Sequence, residues 1–400
     1  MFELRPILSA LLRSKSAPLL IIAQLALTLA VIANAAFIVQ ERLTTLNRDS
    51  GVTESELLSF TVIEMDTQGD LMPQRRRDEQ LLRQIPGVIS ASATNQIPLS
   101  NSGSSSTVSS LPDDQGNSVN VGYYMGNESL FDTLGISLVA GRAFNPTDIS
   151  VDSTMGTRPD QALISQYTAD ILFPDESALG KLVYMQNHPI EVIGIMDTLQ
   201  SPWPHRQDSY ASAIIPVETP MFIARFMVRV EADAMDSVLN AVSDVLLADN
   251  PDRVITGIRP FAETRDRAYR NDTAMAVLLS VVIVLLLAVT AFGIVGLASY
   301  SVSQRQKQIG TRRALGATRL MVLRHFLIEN AMICSAGVLL GSFGAIGLNQ
   351  FLMQNYELSR LPLGYLLVSL TGLVLLGQLS VAAPAYRAST ISPAIATRSV

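Results

Sequence analysis

Four long apolar runs constrain this 400-residue chain more than any other feature. They lie at about residues 18–39, 273–300, 327–352 and 361–383. Each is near or above the ~20 residues that carry a helix across ~30 Å of hydrocarbon. Between the first two lies a polar stretch, residues 41–272, long enough to bury a core of its own. With 48% hydrophobic and 16% charged residues, the chain is too apolar for an ordinary soluble protein and too polar to be all spans. The reading is an α-helical membrane protein with four transmembrane helices and one large α+β domain outside the membrane.

Charge gives the orientation. Residues 303–324 carry six basic side chains (Arg305, Lys307, Arg312, Arg313, Arg319, Arg324) and no acid. Arg5, Arg13 and Lys15 precede the first run, and Arg387 and Arg398 follow the last. The loop between the third and fourth runs has only Glu357 and Arg360. Short basic loops stay on the cytoplasmic side, whereas long domains translocate whatever their charge. Both termini are therefore expected in the cytoplasm and residues 41–272 outside. That outer stretch holds 17 Lys/Arg against 32 Asp/Glu, which argues against a nucleic-acid partner. Ala33-Asn34-Ala35 resembles a signal-peptide cleavage site, but the apolar run continues through Val39, which favours a retained span. Cys334 is the sole cysteine, so the outer domain has to hold by packing without a disulfide.

Within the outer stretch, a strand from Leu57, a helix over 73–85 and a strand after Pro86-Gly87 form one unit. Leu81, Leu82 and Ile85 lie on one side of that helix. Residues 222–230, 234–247 and 253–258 repeat the strand–helix–strand order. These read as two βαβ-like units flanking an insertion at about 128–218. The Ser-rich residues 101–110 read as a loop too small and polar to pack, and the many carboxylates as solvated. Residues 261–272 are helix-compatible and lead without a breaker into the second run, which reads either as a stiff stalk or as a short connector.

Catalytic chemistry is absent from the pattern. His188, His205 and His325 lack metal-ligand spacing, and no nucleophile elbow or phosphate loop occurs. The chain reads as no enzyme. In the basic loop, Ile309, Ala314 and Leu315 sit among charges and Gly310 and Gly316 punctuate them, the pattern of a short amphipathic helix on the membrane surface. Arg324, His325, Glu329 and Asn330 open the third run. His325 and Glu329 are four apart and can share a helix face. Glu329, costly near hydrocarbon, reads as an interfacial residue reaching the headgroups, or as an interhelical latch or a contact to the basic loop. Gly337 and Gly341 form a G-x-x-x-G that lets helices approach closely.

The run QRQKQIGTRRALGATRLMVLRHFLIEN resembles the signature between the second and third spans of the MacB/FtsX-like ABC transporter permeases. PAYRASTISPAIATR resembles the family's C-terminal end, and IPGVISASATNQIPLS and FDTLGISLVAGRAFNPTD its periplasmic core domain. The resemblance implies an N-terminal segment and first span (1–40), a periplasmic core with stalk helices (41–272) and a second span (273–302). A coupling helix (303–324), third and fourth spans (325–353 and 361–385) and a cytoplasmic tail (386–400) follow, with 273–400 as the FtsX-like permease domain. It implies that Ile309, Gly310, Arg312, Arg313, Ala314, Leu315 and Gly316 couple to a cytoplasmic ABC ATPase supplied in trans. ATP is then bound by that partner, and this chain holds no cofactor or metal. Further implied partners are a second permease copy, a periplasmic adaptor and membrane lipid. The implied role is mechanotransmission for efflux of an amphipathic compound or peptide from the bacterial inner membrane. A cargo-free regulator of a periplasmic partner and a lipoprotein-release permease share the same architecture.

Overall fold

The computed structural model describes residues 16–66, 70–151, 159–356 and 359–392. Arg5, Arg13, Lys15, Glu357 and Arg398, which enter the orientation argument, lie outside them. The chain divides into an outer unit, Arg48–Arg270, and a helical unit made of the residues before and after it.

Helix α1 (Ser16–Leu46) precedes the outer unit. Strand β1 (Leu57–Glu64), helix α2 (Leu71–Arg83) and strand β2 (Val88–Thr94) then open the first lobe. Asp70 caps α2, accepting a hydrogen bond from the Met72 N–H at 3.1 Å, so the helix begins ahead of Pro73.

The second lobe follows. It comprises β3 (Ser105–Ser109), β4 (Ser118–Met125), α3 (Ser129–Leu134), β5 (Leu138–Gly141), β6 (Ser150–Val151), β7 (Gln161–Ser165), α4 (Gln166–Leu172), β8 (Leu182–Met185), β9 (His188–Met196), β10 (Ser212–Ile215) and β11 (Val217–Glu218). Six of its strands run β9-β7-β10-β4-β3-β8, and β8 pairs back onto β9. The sheet therefore closes as a barrel, which removes exposed edges. β5 extends β9 beyond the closure. Gln186 (φ 51°) and Asn187 (φ 64°) make the two-residue turn that lets β8 fold onto β9. Val121, Ile164, Val183, Val192 and Ile215 fill the core.

The Ser-rich run is thus not a loop: β3 is a barrel strand with Val108 and Ser109 buried. Ladder bonds on both sides satisfy its backbone, which outweighs its poor side-chain packing. The inserted lobe accordingly takes in β3 and β4, ahead of residue 128.

The chain returns to the first lobe as β12 (Ile223–Val230), α5 (Met235–Asp249) and β13 (Arg253–Pro260). The first sheet has the order β13-β1-β12-β2, every neighbouring pair antiparallel. Each strand–helix–strand unit therefore places its two strands parallel but apart, with a strand of the other unit between them. On α5, Val238, Val242 and Leu246 repeat at i, i+4 and i+8 and are fully buried. They share a core with Phe60 and Phe226, whose rings stack at 5.2 Å.

Helix α6 (Phe261–Ala268) ends the outer unit. Tyr269 (φ −102°, ψ 8°) then interrupts the helix that the sequence makes continuous. Its ring is 2% exposed and its hydroxyl donates to Gln200 at 3.2 Å, so tertiary bonding overrides local helix preference.

The helical unit contains α1, α7 (Arg270–Gln304), α8 (Gln306–Ala314), α9 (Arg319–Tyr356) and α10 (Leu363–Ser389). Among the described residues, α1, α7, α9 and α10 are the helices long and apolar enough to cross a membrane. Gly337 and Gly341 lie where α9 meets α1. A Cβ on Gly337 would stand 2.8 Å from the Leu25 Cβ, and one on Gly341 2.9 Å from the Ala26 carbonyl oxygen. Polar ties supplement this packing. Asn34 donates to the Ala345 carbonyl at 3.0 Å, Gln24 to the Val289 carbonyl at 3.1 Å, and Asn330 to the Gly377 carbonyl at 3.0 Å. Gly341→Leu is expected to force α1 and α9 apart at about 1–3 kcal/mol of overpacking. Thermal unfolding of the full chain in detergent checks this, with Gly347→Leu, where a Cβ meets nothing within 4 Å, as the neutral control.

Candidate functional site

The basic stretch folds as a helix wedged between two others. Helix α7 stops at Arg305 (φ −103°, ψ 14°), and α8 resumes at once. Ile309 is 6% exposed and packs with Val302, Val322, Phe326, Ala385 and Ala388. Gly310 beside it is also buried. Much of the rest of its surface is open: Arg312 and Ala314 are exposed, and Leu315, just past the helix, is 83% exposed. Gly316 (φ +99°) turns the chain out of α8, its N–H bonded to the Arg313 carbonyl at 3.1 Å. Thr318 then accepts from the Met321 N–H at 3.2 Å and starts α9.

The two arginines that the sequence treats alike part company. Arg312 is exposed, whereas Arg313 is half-buried and donates to the Ile391 carbonyl just past α10. Arg312 faces outward; Arg313 fastens α8 to the end of the last helix.

Glu329 pairs with Arg305. Its two carboxylate oxygens each accept from Arg305 Nη1 at 3.0 Å, while the His325 ring lies edge-on to Phe326. The break between α7 and α8 is thereby locked to the third long helix. The pair borders a cavity of about 70 Å³ lined by Pro18, Ile21, Ile294, Asn330 and Val381, room for a few waters and well below a drug-sized pocket.

The outer unit holds a second ionic assembly, and it overturns the expectation that its carboxylates are solvated. Arg253, with a fully buried side chain, donates to Asp78 at 2.7 and 2.8 Å and to Glu64 at 3.4 Å. Glu79 accepts from the Ala93 N–H and from Asn127 Nδ2, both at 2.7 Å. Arg75 donates to the carbonyls of Thr219 and Met221, and Arg76 pairs with Glu218 at 2.6 Å. These contacts clamp α2 to the segments that cross between the lobes. Sequence reasoning placed Leu81 on the inner face, but the buried face of α2 is Met72, Arg75, Asp78, Glu79 and Leu82. The i, i+3, i+4, i+7 spacing of the last four is the signal that was there to find.

Burial pushes Asp78 and Glu64 above their ordinary values, against the pull of Arg253. Glu79 is pushed from 4.5 to about 7, again mainly by burial. The folded chain therefore holds the Glu79 proton more tightly than the unfolded chain does. That contribution is complete below pH 4.5 and is lost as the pH rises through about 7. It amounts to about 3 kcal/mol. The melting temperature of the full chain is expected to fall between about pH 5 and pH 8, with a shallower slope in Glu79→Gln.

The order of these parts matches known proteins. Residues 20–245 match the MacB-like periplasmic core domain, and residues 280–393 the FtsX-like permease C-terminal region. The chain belongs to the MacB/FtsX-like ABC permease family. Macrolide export ATP-binding/permease protein MacB of Azoarcus sp. (strain BH72) is 29% identical over 250 residues, covering 60% of this chain and 37% of that protein. Its counterpart in Neisseria meningitidis serogroup A / serotype 4A is 26% identical over 260 residues, covering 62% and 38%. The Bartonella henselae protein of that name is 27% identical over 284 residues, covering 67% and 41%. The chain thus spans 37% to 41% of the length of these curated relatives.

Among solved structures, the extracellular domain of the noncanonic ABC-type transporter YknZ from Gram-positive bacteria is similar with a TM-score of 0.33 at 18% identity. That likeness covers 50% of this chain and 100% of that one. The periplasmic region of MacB from Actinobacillus actinomycetemcomitans gives a TM-score of 0.32 at 16% identity, covering 54% and 94%. The chain is a membrane protein with a permease-type helical part and a periplasmic-type outer domain.

Proposed function

We propose that this chain is the membrane-spanning part of an ABC exporter in a bacterial inner membrane, with both termini cytoplasmic and the outer unit periplasmic. A separate cytoplasmic ATPase docks on α8, and its strokes pass through the spans to the outer unit. Two permease copies work together, with a periplasmic adaptor as further partner, and the cargo is an amphipathic compound or peptide. The supporting observation is the build of α8: Ile309 anchors the helix in an apolar cluster, while Arg312 and Leu315 stay exposed. Family membership supports the ATPase partner, since the relatives are named as ATP-binding/permease proteins.

The test is co-purification in mild detergent followed by ATP-dependent transport in vesicles. The double variant Arg312→Glu/Leu315→Asp is expected to lose the co-purified ATPase at least tenfold while remaining inserted and folded. Full retention of the ATPase with normal coupled transport would overturn the assignment.

A further inference from the structure

The chain comes into the outer unit at Arg48 and leaves it at Arg270. Inside that unit one irregular segment, residues 198–206 between β9 and β10, holds both places. Gln200 is its centre and is fully buried. Its N–H donates to the Ser50 carbonyl at 2.9 Å, on the incoming side. Its side-chain oxygen accepts from the Tyr269 hydroxyl at 3.2 Å, on the outgoing side. Its carbonyl accepts from the Tyr124 hydroxyl at 2.6 Å, and Tyr124 belongs to the barrel strand β4. One residue thus ties three bodies together.

The contacts around it repeat the pattern. Arg48 Nη1 donates to the Pro204 carbonyl at 3.1 Å, and the Arg48 carbonyl accepts from Arg265 Nη2 at 2.6 Å. The His205 ring meets Tyr269 edge-on at 5.9 Å. At Gly51 (φ +80°) a Cβ would fall 1.9 Å from the Thr198 carbonyl oxygen, so the incoming backbone lies directly against the segment. The four-stranded lobe needs no such device, because β1 and β13 continue in the chain from the two ends. The barrel lobe is joined in the chain only to the four-stranded lobe, where α2 clamps the crossings.

We propose that residues 198–206, centred on Gln200, pass displacement of the two chain ends into the barrel lobe, with Gln200, Tyr269 and Arg48 as positioning residues. This rests on the transmission reading under Proposed function. A body held at two places follows both; with the Gln200 tie cut, the barrel follows the four-stranded lobe alone.

The experiment uses the full chain with the ATPase that co-purifies with it, in lipid nanodiscs. Spin labels go on cysteines at the exposed positions Asp170 in α4 and Asp236 in α5, one in each lobe, with buried Cys334 left in place. Pulsed electron resonance reads the label distance without nucleotide and with vanadate-trapped nucleotide. The unmodified sequence at the hinge is expected to give a nucleotide-dependent shift. Tyr269→Phe/Arg48→Ala is expected to cut that shift at least twofold while the nucleotide-free distance and the ATPase rate hold. Both substitutions are mild, and Gln200→Met serves as the stronger variant once thermal unfolding shows that it folds. A full-sized shift in the double variant overturns the inference and leaves the permease reading standing, as does a mere broadening of the nucleotide-free distances. No nucleotide-dependent shift in the parent chain, or no ATPase accompanying it, overturns the permease reading and this inference with it.

Discussion

Arg253→Met is expected to lower the melting temperature of the full chain by roughly 6–20 °C, the largest effect of any single replacement in the outer unit. The guanidinium has no exposed surface and faces Asp78, itself 2% exposed, along with Glu64 and Asp249. Removing one partner of such a group leaves an uncompensated charge in a medium that solvates it poorly, at about 3–5 kcal/mol. The loss should depend on pH. Burial already lifts Asp78 and Glu64 above their ordinary values with Arg253 present, so without it they take up protons more readily still. Protonation relieves the stranded charge. The deficit is therefore expected to be smaller near pH 5 than near pH 8, and Arg253→Met/Asp78→Asn should recover part of it at the higher pH. Equal deficits at both pH values would mean that lost packing, not charge, carries the effect.

This cluster marks the boundary of what the sequence makes legible. The long helices stand out because each apolar run persists for the whole thickness of a membrane, a local signal that needs no partner. Their true lengths do not stand out: α9 begins at Arg319, well ahead of the apolar run, because polar residues form helix as readily outside hydrocarbon as inside it. The strands of the first lobe are legible from β-branched and aromatic runs. The barrel is not, because its closure depends on β8 pairing with both β9 and β3, and β3 lies some seventy residues away and is mostly serine.

Helix α8 shows the same division. Its charges and glycines are visible in the sequence, as is the resemblance they carry. That Arg312 is open and Arg313 is bonded to Ile391 follows only from the approach of a helix end 78 residues further on. Gln200 offers no signal at all: a lone glutamine in an irregular segment becomes a hub only when three distant elements converge on it.

Arg305→Gln is expected to destabilise the helical unit by about 3 kcal/mol, at the lower end of the range for breaking a buried pair, because Arg305 keeps 25% of its side chain exposed. Glu329, at 10%, would be left beside apolar Ile294, Phe326 and Ile333. Unfolding of the full chain in mixed detergent micelles measures the change. The consequence for function is larger than the stability figure suggests. Arg305 is the residue at which α7 gives way to α8, so this pair ties that break to α9. On the proposed exporter reading, loss of the pair is expected to leave ATPase co-purification intact while lowering ATP-driven transport, whereas Arg312→Glu/Leu315→Asp is expected to lower co-purification itself. The exchanged pair Arg305→Glu/Glu329→Arg separates geometry from charge. If attraction between these two positions is what matters, the exchange restores most of the stability and part of the transport. If Glu329 acts through some other group, the exchange is at least as damaging as either single replacement.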